Sequence, residues 1–75
     1  MTFKQLRIKK KLIVIDVANR LGISESAYRK YESSLRIPKP ASLIEMQKIF
    51  ECSDMEILEA LSYHVDKWKS KMMKK

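Results

Sequence analysis

The stretch that most constrains this chain is Val17-Ala18-Asn19-Arg20-Leu21-Gly22-Ile23-Ser24-Glu25-Ser26-Ala27-Tyr28-Arg29-Lys30-Tyr31-Glu32. Gly22 is the only glycine in the sequence and follows Leu21, the last apolar residue of a helical pattern. A helix ends most easily where the next residue adopts a left-handed conformation, which glycine does without steric cost. Ser24 is a good N-cap for a new helix, and Glu25 places negative charge in its first turn. Ile23, between them, points back into the angle between the two helices. The stretch therefore predicts one short helix, a tight turn at Gly22 and a second helix starting at Ser24, which is the sequence form of a helix-turn-helix.

At 75 residues the chain is read as one domain, just large enough for a core without staples. One glycine and two prolines argue against a turn-rich β fold. The net charge of +7 suits a polyanionic partner, nucleic acid first and an anionic membrane surface second. Cys52 is the sole cysteine, so no internal disulfide forms, and with the single His64 it supplies no metal set. Cys52 reads as a small core or turn residue. No apolar run approaches a membrane span, and Leu12-Ile13-Val14-Ile15 is too short for a signal segment. The expectation is a cytoplasmic protein with no cofactor. A Gly-rich phosphate loop, carboxylates paired around a cleft and a His/Cys partnership are all missing, which argues against an enzyme.

Thr2 can cap a first helix with Phe3, Leu6 and the Lys10 stem facing inward, and Lys4, Arg7, Lys9, Lys10 and Lys11 make this segment strongly basic. A second helix is expected over Val14 to Leu21, burying Val17, Ala18 and Leu21. Its start is weak: Ile13, Val14 and Ile15 are β-branched, no side-chain oxygen caps it, and the three cannot all face a core. The third helix runs from Ser24 to about Glu32 with Tyr28 and Tyr31 inside. Ser33 to Pro40 reads as a loop, and Pro40 suits the first turn of a fourth helix ending near Phe50. That helix is expected to bury Leu43, Ile44, Met46 or Gln47, Ile49 and Phe50. Ser53-Asp54-Met55-Glu56 is a capping box. From it one long fifth helix carries the stripe Ile57, Leu58, Leu61, Val65, Trp68 and Met72 as far as Met72, with a frayed basic end at Lys74-Lys75. Residues 1–62 then form the domain and residues 63–75 a basic helical extension. Charge is segregated: residues 41–63 are acidic, while residues 24–40 and 64–75 are basic.

Five helices with a helix-turn-helix as the second and third resemble the lambda-repressor-like, or Cro/repressor and XRE, DNA-binding domain. The likeness covers about Phe3 to Leu61. It is carried by Leu6-Arg7, Leu12, Val17-Ala18, Leu21-Gly22-Ile23-Ser24, Tyr28, Tyr31-Glu32, Arg36 and Pro38, with the Leu43 to Phe50 helix and the Ser53 to Leu58 helix start. It implies an all-α fold and double-stranded DNA as partner. It implies base contacts from Glu25, Ser26 and Lys30, and phosphate contacts from Ser24, Ser33, Arg36 and Lys39. Arg29 joins the phosphate group on the chemistry of its side chain, while Lys30 would donate to guanine O6 and N7. Arg7 and Glu32 match a structural ion pair that ties the first helix to the end of the third.

The departures matter. The Ser-Gln that often opens the family's second helix, with the Gln on phosphate, is Ile13-Val14 here. Glycines expected before Leu12 and after the recognition helix are Lys11 and Ser34, so two helix ends must manage without glycine. Glu25 replaces a neutral or basic donor; it can accept from cytosine N4 or serve only the helix N-terminus. The basic N-terminal run is either a solvated face or a phosphate clamp. Val65, Trp68 and Met72 either make a homodimer contact or fold back over Ile13-Val14-Ile15. Three functions compete: a DNA-binding repressor, of phage or mobile-element origin if the resemblance holds; a protein-interaction module on the same fold; and a membrane-surface helix at residues 64–75.

Overall fold

The computed structural model describes residues 1–73. They form five helices, α1 (Phe3–Lys9), α2 (Val14–Leu21), α3 (Glu25–Glu32), α4 (Pro40–Phe50) and α5 (Asp54–Met73), and no strand among the described residues. The basic end expected at Lys74 and Lys75 lies outside them.

Each helix start has a local cause. Thr2 caps α1 in a reciprocal box: its hydroxyl accepts from the Gln5 amide at 3.2 Å while the Gln5 side chain accepts from the Thr2 amide at 2.8 Å. Ser24 Oγ accepts from the Ala27 amide at 3.0 Å to open α3. Pro40 begins α4, and Ser53 with Glu56 forms the second reciprocal box at the head of α5. There the Ser53 amide holds the Glu56 carboxyl below the ordinary carboxylate range. Neither α2 nor α4 has a side-chain cap: Lys39 precedes Pro40 without bonding the helix, and Ile13, the N-cap of α2, has no side-chain oxygen to offer.

The helix ends use left-handed residues. Gly22 sits at φ 70 and its amide reaches the Ala18 and Asn19 carbonyls. A Cβ there would meet nothing within 4 Å, so glycine is required by the backbone angle and not by crowding. Lys11 (φ 59) and Ser34 (φ 62) take the left-handed conformation at the two positions where the resemblance implied glycine, and Glu51 (φ 50) does so after α4.

The core joins all five helices: Phe3, Leu6, Val17, Ala18, Tyr28, Tyr31, Met46, Phe50, Ile57 and Ala60. α2 packs on α3 and α4, while α1 bridges α3 and α5. Several expectations about facing need correction. Ile44 is 54% exposed and Leu58 57% exposed, because Met46 with Phe50, and Ile57 with Ala60 and His64, fill the inward positions of α4 and α5. The Lys10 stem lies outside; its ammonium pairs with Glu51 at 3.2 Å. Ile13 and Ile15 remain exposed, so Val65, Trp68 and Met72 of α5 do not fold back over them. Cys52 is half-buried beside the core, and burial pushes its thiol pKa up.

Two polar ties cross this core. Arg7 donates through Nε and Nη2 to the two oxygens of Glu32, at 2.7 and 3.2 Å, and through Nη1 to the Leu12 carbonyl at 3.0 Å. Tyr28 Oη donates to the same Glu32 carboxylate. The pair is 11% and 12% exposed, close to fully withdrawn from water. Its attachment to Glu32 holds the Arg7 guanidinium pKa above its usual value, and burial first, then Glu32, raises that of the Tyr28 phenol. The second tie is His64, 1% exposed and stacked on Phe3 with ring centroids 4.3 Å apart. The Phe3 amide donates to its Nε2 at 3.2 Å, and Nδ1 lies 2.7 Å from Ser34 Oγ. An Nε2 that accepts must be unprotonated, so the hydrogen-bond pattern assigns the proton to Nδ1, which donates to Ser34.

These ties yield two predictions. Arg7→Met or Glu32→Gln strands a charge that is nearly buried and should lower unfolding stability by about 3–5 kcal/mol. The joint variant should lose less than the sum of the two in urea melts; additive losses would show that the pair is not coupled. For His64, burial first, then Lys71, lowers the imidazole pKa below its ordinary 6.5, with Glu32 opposing. The unfolded chain therefore binds the proton first on acidification. Stability is full above about pH 6.5 and falls as pH drops toward the lowered native value. Since the chain has one histidine, the melting temperature should fall between about pH 7 and pH 5 in the native sequence. His64→Leu, though less stable, should be flat across that interval.

Candidate nucleic-acid interface

The outward side of α3 is open to solvent. Ser24, Ser26, Arg29, Lys30 and Ser33 are exposed, and Glu25 is half-buried. α3 shows this side because Tyr28 and Tyr31 turn inward and meet edge to face, ring centroids 6.2 Å apart. Glu25, Ser26, Arg29, Lys30 and Ser33 line one open recess with Lys4 of α1 and Leu35 of the following loop. The structure thus brings together five of the eight side chains assigned to DNA contact. Ser24 stands at the head of the helix, and Arg36 and Lys39 lie exposed on the loop to α4, outside that recess.

Several of these groups already have partners. The Ser24 hydroxyl oxygen accepts from Ala27, which leaves its hydrogen available to donate outward. Ser33 Oγ donates to the Lys30 carbonyl at 3.2 Å. Arg29 holds Glu25 through Nε at 3.0 Å and Nη2 at 2.6 Å, so the one carboxylate at the head of the helix is engaged by its own neighbour one turn on. This exposed pair contributes little to stability, but it sets the charge of the face. Lys4, Lys30, Arg36 and Lys39 form no ion pair among the described residues.

The loop carrying Arg36 is fixed by the end of α3. With Ser34 left-handed, the Leu35 and Arg36 amides both donate to the Lys30 carbonyl, at 2.9 and 3.2 Å. Pro38 is buried and anchors the far side of the loop.

A fold of this kind, with an unobstructed basic face on the second helix of a helix-turn-helix, is the arrangement that reads duplex DNA. The Helix-turn-helix family HTH_3 matches residues 3–65, most of the chain. The chain belongs to this family. The family is that of XRE and lambda-repressor-like DNA-binding regulators, so this helix-turn-helix domain is a DNA-binding one. No curated protein and no solved structure matches the chain. Among the described residues no helix is long and apolar enough to cross a membrane, and no cluster of three potential ligands is placed to hold a metal.

One participant escapes a reading of the sequence. His64 supports the loop after α3 through Ser34, and its place at the spacing Ile57, Ala60, His64 is the signal that could have found it. Lys4 belongs to the basic N-terminal run read as a solvated face or a phosphate clamp, and the packing of α1 against α3 brings it to the recess of α3.

Glu25→Gln should release Arg29 and remove a charge that repels phosphate. Duplex affinity should then rise without regard to sequence, as measured by titration on both a selected and a scrambled duplex. If Glu25 accepts from a cytosine, affinity for the selected duplex should fall and the scrambled one should not gain.

Proposed function

We propose that this chain is a sequence-specific transcriptional repressor that reads the major groove of double-stranded DNA with α3. The observation that carries the proposal is the outward side of α3, where Ser24, Ser26, Arg29, Lys30 and Ser33 are exposed and where Lys4 and Lys30 form no ion pair among the described residues. Ser26 and Lys30 lie where base edges would be reached, with Glu25 beside them. Ser24, Arg29, Ser33, Arg36 and Lys39 would meet the backbone, where contacts position the helix without reading sequence. Ile13 and Val14 leave the head of α2 without a side-chain phosphate donor, so more of the side-chain grip falls to the loop cations.

The protein is proposed to act as a homodimer through the outer edge of α5. Leu58 and Met72 are exposed on that edge and Val65 and Trp68 half-buried. A second copy would cover this apolar surface at about 25 cal/mol per Å². Two copies would set their recognition helices about 34 Å apart, one turn of DNA, on a palindromic site. A second reading, a protein-interaction module, is favoured by one feature: the apolar recess of Leu43, Ile44, Ile57 and Leu58 between α4 and α5. It predicts a stable protein complex and no salt-sensitive duplex binding.

Selection from random duplex DNA decides between them. The repressor reading predicts one enriched motif in inverted half-sites and affinity that falls steeply with salt. Lys30→Gln and Arg36→Gln should each lessen the salt slope by about 0.9 for each phosphate that the variant no longer neutralises. Lys30→Gln should in addition relax the motif at one position. No enrichment would leave the protein-interaction reading. For the dimer, truncation after Ser62 is a poor probe, since it removes the core residue His64. Trp68→Lys with Met72→Lys should instead give the mass of a monomer by sedimentation; an unchanged dimer mass would refute this interface.

A further inference from the structure

We propose that Lys4, Lys67 and Lys71 form a second phosphate-contact cluster, which grips the backbone of one DNA strand beyond the C-terminal end of α3. The proposal rests on the DNA-binding reading above and extends its footprint to two helices outside the helix-turn-helix. A cleft between the start of α1, the end of α3 and the second half of α5 is lined by these three lysines with Thr2, Ser33 and Tyr63. It is continuous with the recess on α3, because Lys4, Glu32 and Ser33 border both.

The charge distribution gives the cleft its sign. Other cations of the N-terminal segment are neutralised within the chain: Lys9 by Glu56 at 3.7 Å, Lys10 by Glu51 at 3.2 Å and the N-terminal ammonium by Glu59 at 3.6 Å. Among the residues lining the cleft the sole carboxylate, Glu32, is held by Arg7 and Tyr28. Lys4, Lys67 and Lys71 form no ion pair among the described residues. The floor is His64, which is neutral and adds no charge of its own.

Two of the lysines are held in place. The Lys67 ammonium lies 5.7 Å from the centre of the Tyr63 ring. Lys71 donates to the Ser33 carbonyl at the end of α3, which leaves two of its three ammonium hydrogens for an outside acceptor. Phosphodiester oxygens are acceptors of the right charge, and the strand that passes the outward side of α3 would supply them.

The test is the salt dependence of binding to a duplex obtained by selection. Lys4→Gln and Lys67→Gln, singly and together, remove charges that no carboxylate partner depends on, and thermal melts confirm that each variant folds. The expected result is a fall of about 0.9 in the salt slope for each lysine, and about 1.8 for the pair. The enriched motif should not change, because phosphate contacts carry no sequence information. Lys69→Gln, exposed on α5 but not lining the cleft, should keep the native slope. Native slopes in the Lys4 and Lys67 variants, or an equal fall in the Lys69 variant, would overturn the cluster and leave the DNA-binding reading standing. Weak, salt-insensitive binding by the native chain would instead overturn that reading itself.

Discussion

The structure depends on the fork that Arg7 makes with Glu32. Both charges are nearly withdrawn from water, and the fork is spent on two acceptors, twice on the carboxylate and once on the Leu12 carbonyl. This contact fixes the turn between α1 and α2 and the end of α3 at once. Tyr28, from inside α3, adds its hydroxyl to the same carboxylate. The recognition helix is thus tied at its C-terminal end by charge, at its middle by two buried tyrosine rings and at its head by Ser24. A helix of eight residues has little stability alone, so its presentation to a partner comes from these attachments.

His64 performs a matching task from α5. It bonds the first amide of α1 and the hydroxyl of Ser34, the residue whose left-handed backbone turns the chain out of α3. Glycine at this position would ease the backbone but offer no oxygen to the ring. Serine accepts some conformational cost for a buried hydrogen bond, and the loop that carries Arg36 starts from it. The charges follow the same division. Acidic side chains of α5 and the turn before it engage Lys9, Lys10 and the N-terminal ammonium, which offsets those charges. Positive charge is left uncompensated on the loop and beside α3.

Much of this is legible in the residues. Capping chemistry marks the starts of α1, α3 and α5, Pro40 marks that of α4, and Gly22 marks the turn. The Arg7–Glu32 pair follows from the family resemblance and is present as implied. What is not legible concerns which side of a helix faces in when its apolar residues exceed the space. Ile44 and Leu58 satisfy the spacing of a core position as well as Met46 and Ile57 do, and only the packing of α4 on α2 and α5 decides between them. His64 escapes notice because a lone histidine suggests chemistry, whereas here it is a buried polar link whose two nitrogens are both satisfied. The engagement of Glu25 by Arg29 is an ordinary pair one helical turn apart, and the question of what Glu25 reads on a base edge hides it.

The central claim is that the side of α3 beginning at Ser24 meets the duplex while α4 and the outer edge of α5 do not. Amide chemical-shift mapping of the labelled chain, titrated with a selected duplex, tests it most directly. The account predicts the largest changes along Ser24 to Ser33 and at Arg36 and Lys39, with the amides of Ile44 and Leu58 unmoved at subsaturating duplex. Changes centred on Ile44 and Leu58, with α3 silent, would contradict it.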